Sequence, residues 1–225
     1  MPVYQLYEEI AFPPIHKAWR GILAVGGDLS VERLVEAYRN GIFPWYGPED
    51  PILWWSPNPR CVLIPKELKI RKSLQRVVNS RKFVVKFDQD FPSVIKNCAQ
   101  VPRLDQEGTW ISQEMQEAYI ALHRAGYAHS VETYLDGVLV GGLYGVALGK
   151  VFFGESMFHH VTDASKVALY FLCKRLIEMD FQMIDAQQTT SHLMSMGAKE
   201  MKRADFKKIL IKNVGDAKKT IFNKD

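Results

Sequence analysis

Asp185 and Gln187 stand two positions apart in Ile184-Asp185-Ala186-Gln187, a run whose composition suits a strand. Strand side chains alternate, so the acid and the amide would share one face while Ile184 and Ala186 take the other. An acid and an amide side by side at a strand end, next to Gln188-Thr189-Thr190, form a candidate polar site. The same four residues read equally as the wet side of an edge strand, and by themselves leave both readings open. Glu155, in Gly154-Glu155-Ser156-Met157-Phe158, follows the apolar run Val151-Phe152-Phe153. A carboxylate amid that much hydrocarbon is costly to bury without a partner. It therefore either emerges at a sheet edge or serves a cationic or hydrogen-bonding ligand. The neighbouring Leu143, Met157, Leu169, Leu172 and Ile184 have the spacing of core residues. Of the five tryptophans, Trp54 and Trp55 suit the core of a small domain, whereas Trp45 and Trp110 fall at loop ends. Exposed rings beside basic segments make a stacking platform for single-stranded nucleic acid, each stacked base contributing about 1–3 kcal/mol.

Other chemistries find no support. His159 and His160 point apart if extended, and no third ligand has zinc-like spacing, so no metal is expected. No nucleophile elbow surrounds a serine. Gly26-Gly27-Asp28 lacks the lysine of a phosphate loop. Cys173 lies in an apolar helical stretch and reads as inert core.

The elements that must position these residues follow from periodicity. Ser30 is an N-cap for a helix with Leu34, Val35 and Tyr38 on one face, ending at Gly41. The proline- and aromatic-rich stretch from Phe43 to Arg60 reads as loop, since prolines at this density suit neither a helix interior nor a central strand. A domain boundary is placed after it, giving a small domain over 1–60 and a larger one over 61–225. The spacing then predicts a basic helix over 68–79, a strand over 83–87, a short helix after Phe91, and a helix capped by Ser112 that buries Met115, Ala118, Tyr119 and Leu122. Three strands follow, over 129–135, 138–146 and 150–157, with Asp136-Gly137 as a hairpin turn. A long helix over 163–179, a strand over 182–187, a short helix near 192–196 and a final basic helix complete the chain. A meander of strands, a long helix and a further strand is the core order of the GNAT-type acyltransferase fold, an analogy that does not by itself assign function.

Composition bounds the rest. The 225 residues, 47% hydrophobic and 24% charged, suit a globular protein. No apolar run approaches the roughly 18 residues of a membrane helix, and Glu8 and Glu9 interrupt any secretory core. Three cysteines without a CxxC spacing exclude a disulfide framework. A cytoplasmic protein without a membrane partner is therefore expected. The formal net charge of +4 hides an asymmetry. Eight basic residues and one acid lie between Lys66 and Lys86, nine and three between Lys199 and Lys224, leaving the remainder at −9. Two basic segments favour a polyanion such as nucleic acid, because neutralising phosphates drives most such affinity.

Six motifs in register resemble one family. Gly26-Gly27-Asp28-Leu29-Ser30, the run from Ala37 to Trp45, Trp54-Trp55-Ser56-Pro57, Gly108-Thr109-Trp110, Gly154-Glu155-Ser156-Met157-Phe158 and Ile184-Asp185-Ala186-Gln187 occur in the order seen in leucyl/phenylalanyl-tRNA–protein transferases. The resemblance spans about Ile10 to Phe206. It implies an α+β protein, a GNAT-like domain of mixed sheet and flanking helices behind a small N-terminal domain. The implied reaction moves Leu or Phe, with Met a further candidate, from aminoacyl-tRNA to the N-terminal amine of proteins beginning with Lys or Arg, marking them for N-degron degradation. The implied partners are thus Leu-tRNA or Phe-tRNA and the acceptor protein, with no cofactor and a monomeric enzyme. By position, the stacking aromatics for the terminal adenosine fall on Trp45 and Trp110. The aminoacyl pocket falls on Leu143, Met157, Leu169, Leu172 and Ile184, near Phe152. The polar catalytic residues fall on Glu155, Asp185 and Gln187, and contacts to the tRNA stem on Lys72 and Arg76.

Within this resemblance Asp185 is expected to orient and deprotonate the amine, with Gln187 as relay and Glu155 anchoring the aminoacyl or ribose end. A deep apolar slot would take Leu or Phe and reject β-branched Ile and Val, one misplaced methyl being worth about 1–3 kcal/mol. Ala186 replaces the family's usual Cys, and strand alternation predicts that it faces away from the polar pair. Leu143 and Leu172 replace bulkier side chains, and Asn79 stands where a relative has a basic residue. A coenzyme A-dependent N-acetyltransferase is the rival enzyme, and an RNA-binding module the rival without chemistry. Against the former, the turn His160-Val161-Thr162-Asp163-Ala164-Ser165 has no glycine and a carboxylate where an anion would dock.

Overall fold

A computed structural model describes residues 3–101, 110–215 and 222. Gly108 and Thr109, and most of the second basic segment beyond residue 215, lie outside the described residues. The chain opens with strands β1 (Tyr4–Leu6) and β2 (Ile22–Gly26), helix α1 (Val31–Arg39), and strands β3 (Phe43–Pro44) and β4 (Leu53–Trp55). These four strands form one sheet in the order β1-β2-β4-β3. The stretch expected to be loop is thus partly sheet, and Trp54 lies on an interior strand. The prolines permit this because Pro44 sits on edge strand β3, where a missing N–H costs no ladder bond, and the others flank β4. Helix α1 begins as expected, Ser30 Oγ accepting from Arg33 N at 3.3 Å, and ends at Gly41 with φ +72°.

The chain then enters a second sheet at β5 (Arg60–Leu63). It continues through α2 (Lys72–Asn79), β6 (Val84–Phe87), α3 (Phe91–Gln100), α4 (Gln113–Arg124), β7 (Ala128–Leu135), β8 (Val138–Leu148) and β9 (Val151–His159). Helix α5 (Ala164–Glu178), β10 (Met183–Gln187), α6 (Ser191–Ser195), β11 (Lys199–Met201) and α7 (Arg203–Val214) follow. Seven strands lie in the order β11-β5-β10-β9-β8-β7-β6, all neighbours antiparallel except β9 and β10. The expected order of meander, helix and strand is present, with α5 carrying the chain from β9 back to its parallel partner β10. The protein is α+β, a small sheet preceding the larger mixed one.

Each face of the large sheet has its own core. One gathers Leu143, Phe152, Leu169, Leu172, Leu176 and Ile184 between the strands and α5. The other packs Tyr144, Phe153 and Phe158 against α1, α3, α4, α7 and the small sheet. Helix α2 starts at Lys72 rather than Leu68 because Pro65–Glu67 form a separate 3-10 turn. Val35 is only partly buried, while the buried positions of α1 are Arg33, Leu34, Ala37 and Tyr38. Among the described residues no helix is long and apolar enough to cross a membrane.

Gly145 on β8 permits the closest approach in the sheet. A Cβ there would stand 2.2 Å from the Phe153 carbonyl oxygen and 2.5 Å from the Phe152 ring. Backbone cannot yield that distance cheaply. Gly145→Ala should therefore lower stability by about 1–3 kcal/mol, read as a shift in the urea midpoint.

Candidate active site

Strands β9 and β10 pair only where Val151, Phe152 and Phe153 face Met183, Ile184 and Asp185. Beyond that point both ladders are irregular. Ser156 and Gly154 oppose consecutive residues Tyr144 and Gly145 of β8, leaving Glu155 as an extra residue. Asp185 and Gln187 likewise oppose consecutive Val62 and Cys61 of β5, leaving Ala186 extra. Such bulges bend a strand and re-aim its side chains. Where the two strands part, a cavity of about 400 Å³ opens.

The floor and sides of this cavity are apolar. Leu143 and Met157, paired across β8 and β9, meet Phe152 and Ile184, paired across β9 and β10, and Leu169 and Leu172 of α5 close the far wall. All six residues assigned to the aminoacyl pocket therefore come together. They are the walls of a hollow rather than solid core. Trp45 and Trp110 both border the cavity beside Phe43 and Pro44. Trp110 is only 9% exposed, so the expectation of a freely exposed ring is corrected: it presents one side to the cavity and the rest to the core. Trp45 is half-buried, leaning edge-on against Trp55 at 5.2 Å between ring centres.

Glu155 and Gln187 meet at the polar end. Gln187 Nε2 donates to Glu155 Oε1 at 2.7 Å, and Tyr119 Oη donates to Glu155 Oε2 at 3.1 Å. The Tyr38 hydroxyl touches that of Tyr119, so α1 and α4 each send one phenol toward the same carboxyl. Burial pushes the Glu155 carboxyl up to about 7; the two phenols pull it back, and the negative charge of Asp185 adds to the rise. Burial, and then the charge of Glu155, raises both phenols well above the usual tyrosine value. The site thus places a carboxyl that titrates near neutrality at the mouth of a hydrocarbon slot.

Asp185 lies elsewhere. It is fully buried and does not border the cavity. Arg60 Nε and Nη2 donate to its two oxygens at 2.8 and 2.6 Å, a bidentate pair, and Gln187 N donates to Oδ1 at 3.0 Å. The guanidinium is sandwiched between the rings of Phe43 and Phe206, 4.8 and 4.7 Å from their centres. The predicted common face of Asp185 and Gln187 is therefore corrected. The bulge and the positive φ of Gln187, +61°, send its amide to the cavity while Asp185 points to Arg60. Ala186 borders the cavity with Ile184, on the face that alternation gives to both. The Asp185 carboxylate does not border the cavity, whereas Gln187, expected as its relay, does.

Lys72 and Arg76 are exposed one turn apart on α2. Three side chains that contact Glu155 or Asp185 carried no site assignment in the sequence. Tyr38 and Tyr119 counted there only as the inward stripes of helices, although a buried phenol needs a polar partner and could have flagged them. Arg60, at the end of a proline-rich stretch, carried no such signal. His192, Gln188 and Thr190 also border the cavity. Among the described residues no group of three or more His, Cys, Asp or Glu could hold a metal.

Two outcomes follow from this geometry. Removing one member of the buried pair, by Arg60→Ala or Asp185→Ala, should cost roughly 3–5 kcal/mol in urea unfolding, whereas Arg60→Met with Asp185→Leu should cost less than either single change. Glu155 binds its proton more tightly folded than unfolded. Its contribution to stability is therefore full below its unfolded value near 4.5 and is lost as pH rises through about 7. Glu155→Gln should accordingly flatten the fall in stability between pH 5 and pH 8.

Comparison with known proteins supplies the family. Residues 62–211 match the model of the leucyl/phenylalanyl-tRNA protein transferase, and residues 27–58 match that of its N-terminal domain. The chain is 59% identical over 215 residues to the leucyl/phenylalanyl-tRNA–protein transferase of Syntrophobacter fumaroxidans, covering 95% of this chain and 92% of that one. It is 56% identical over 207 residues to that of Solidesulfovibrio magneticus, covering 92% and 84%. Among solved structures, a GCN5-related N-acetyltransferase from Kribbella flavida overlaps 73% of this chain and 58% of its own, at 8% identity and a TM-score of 0.38. With identity above half over nine-tenths of its length, and with the hollow, the tryptophans and the carboxyl–amide couple in one place, this chain belongs to the leucyl/phenylalanyl-tRNA–protein transferase family.

Proposed function

We propose that the cavity holds the side chain of a leucyl or phenylalanyl group esterified to tRNA, and that the ester is passed to the α-amine of a protein beginning with Lys or Arg. The observation that carries this reading is an apolar hollow of about 400 Å³ ending at a carboxyl–amide couple and flanked by two indoles. The hollow is large enough for a leucyl or phenylalanyl side chain with part of its ribose. Trp45 and Trp110 border it where the terminal adenosine would lie.

The reaction is aminolysis. The amine nitrogen attacks the ester carbonyl, a C–N bond forms, the C–O bond to the ribose breaks, and one proton passes from the amine to the departing hydroxyl. An N-terminal amine has a pKa near 7.7–8.0, so part of it is already neutral at cellular pH. The protein's work is to align the two reactants, carry that proton, and keep water from the ester. Glu155, titrating near 7 at the cavity's polar end, is the group suited to carry it. The Gln187 amide holds Glu155 and can reach the incoming amine. Asp185 acts through Gln187, as a positioning residue, by accepting its backbone N–H.

The exposed pair Lys72 and Arg76 suits the phosphates of the tRNA stem, and the acidic remainder of the chain suits a cationic acceptor residue. We place the enzyme in the cytoplasm, as a monomer, labelling proteins for N-degron degradation. The coenzyme A reading is disfavoured at the start of α5, where the Asp163 carboxylate, paired with Lys166 at 2.8 Å, stands where a pyrophosphate would need backbone donors.

Purified protein incubated with labelled Leu-, Phe- or Met-tRNA and a Lys-starting peptide tests the reading. Transfer of Leu or Phe to the peptide is expected, with no turnover of acetyl-coenzyme A. Trp45→Ala should raise the KM for charged tRNA about tenfold, as expected when one stacked base loses its ring. Absence of transfer from every donor would overturn the assignment.

A further inference from the structure

Phe222 lies eight positions beyond Val214, the last residue of α7, and is nevertheless 1% exposed. Its ring stacks on the His129 imidazole at 4.4 Å with 17° between planes. It also meets the rings of Phe152, Phe181 and Phe87, at 5.8, 6.2 and 6.4 Å. Its carbonyl oxygen accepts from both Nε and Nη2 of Arg175 on α5, the former at 3.1 Å. Anchored by ring and backbone together, Phe222 fills a specific seat in the core between the sheet and α5.

That seat lies directly behind the cavity. Phe152 borders the hollow and, in the same core, touches Phe222. Its backbone is fixed by pairing with Ala147 on β8 and Ile184 on β10, and on the side away from the hollow its ring packs against that of Phe222. Close-packed interiors transmit such volume changes to the neighbouring side chain.

We infer that Phe222 is a positioning residue for donor choice, holding the Phe152 ring forward and so setting the depth of the slot that receives the amino-acid side chain. This rests on the reading of the hollow as the aminoacyl slot. Loss of the Phe222 ring would let Phe152 move back and deepen the slot, favouring the larger of the two donor side chains. If the ring served folding alone, its removal would weaken transfer of both donors alike.

The test compares kcat/KM for Phe-tRNA and Leu-tRNA in the full chain carrying Phe222→Ala, Phe222→Leu or Phe222→Met. The Phe-to-Leu ratio should rise about tenfold in Phe222→Ala and rise less in Phe222→Leu and Phe222→Met, whose similar volumes fill part of the space the ring leaves. Charged Trp-tRNA, with a larger side chain still, should be a better donor for Phe222→Ala than for the parent. An unchanged ratio in these variants would overturn the inference, as would equal loss with both donors. Should Phe222→Ala fail to fold, the Leu and Met variants make the same comparison. Binding of phenylalanyl and leucyl amides of 3′-aminoadenosine, which needs no transfer, keeps the two readings apart. A shifted binding ratio without transfer would sink the proposed activity but sustain the inference, and an unshifted ratio with normal transfer would do the reverse.

Discussion

Arg60 and Asp185 meet in the dry interior where the large sheet packs against the small one and α7, and the geometry of the site depends on their pairing. Neither side chain has appreciable contact with solvent, so the desolvation of two charges must be offset locally. Three features do so: the bidentate hydrogen bonds, the Gln187 N–H on the same carboxylate, and the rings of Phe43 and Phe206 on either side of the guanidinium. One ring comes from the small sheet and the other from α7, so the cation ties together parts of the chain more than 100 residues apart. Asp185 in turn holds the backbone of Gln187 in a left-handed conformation that a side chain as long as glutamine adopts only when fixed from outside.

From that fixed turn the chemistry can be followed outward. Gln187 reaches across the gap between β9 and β10 to Glu155, the extra residue of the neighbouring bulge. Two strands that ran in regular parallel register would have buried this space under ladder hydrogen bonds. Their divergence makes a hollow without removing any side chain from the core, and the same irregularity turns the polar groups toward it. The hydrocarbon walls then do double duty. They suit an apolar side chain, and by excluding water they push the Glu155 carboxyl up to about 7.

The small sheet acts as the fourth wall. Arg33 is fully buried and donates to the carbonyl oxygens of Tyr7, Glu8 and Glu9 and to Asp28, clamping the segment that follows β1 to α1. Helix α1, held in this way, delivers Tyr38 to Tyr119 and hence to Glu155. Trp55 Nε1 donates to the Trp45 carbonyl at 2.6 Å, which sets the loop that brings Trp45 to the rim.

Local periodicity in the sequence determined most of the elements, because the Ser30 and Ser112 caps, the Asp136-Gly137 hairpin and the stripe of α5 depend only on near neighbours. Residue type also singled out Glu155, Asp185 and Gln187, whereas the apolar residues around them read as core and were assigned to a pocket only through the family resemblance. Periodicity placed Gln187 on the face of Asp185, whereas Gln187 shares the cavity with Ile184 and Ala186, because alternation holds only for an unbroken strand and a bulge is set by the partner strand. The small sheet was hidden because its strands have two to five residues and hydrogen-bond to segments distant in sequence. Whether Leu143, Phe152 and Leu172 bound a solid core or a hollow, and whether Asp185 answers to substrate or to Arg60, were decided only in three dimensions. The physical reason is the same for both: a side chain's type states what it needs, but burial and pairing, which the whole chain must fold to supply, state what meets that need.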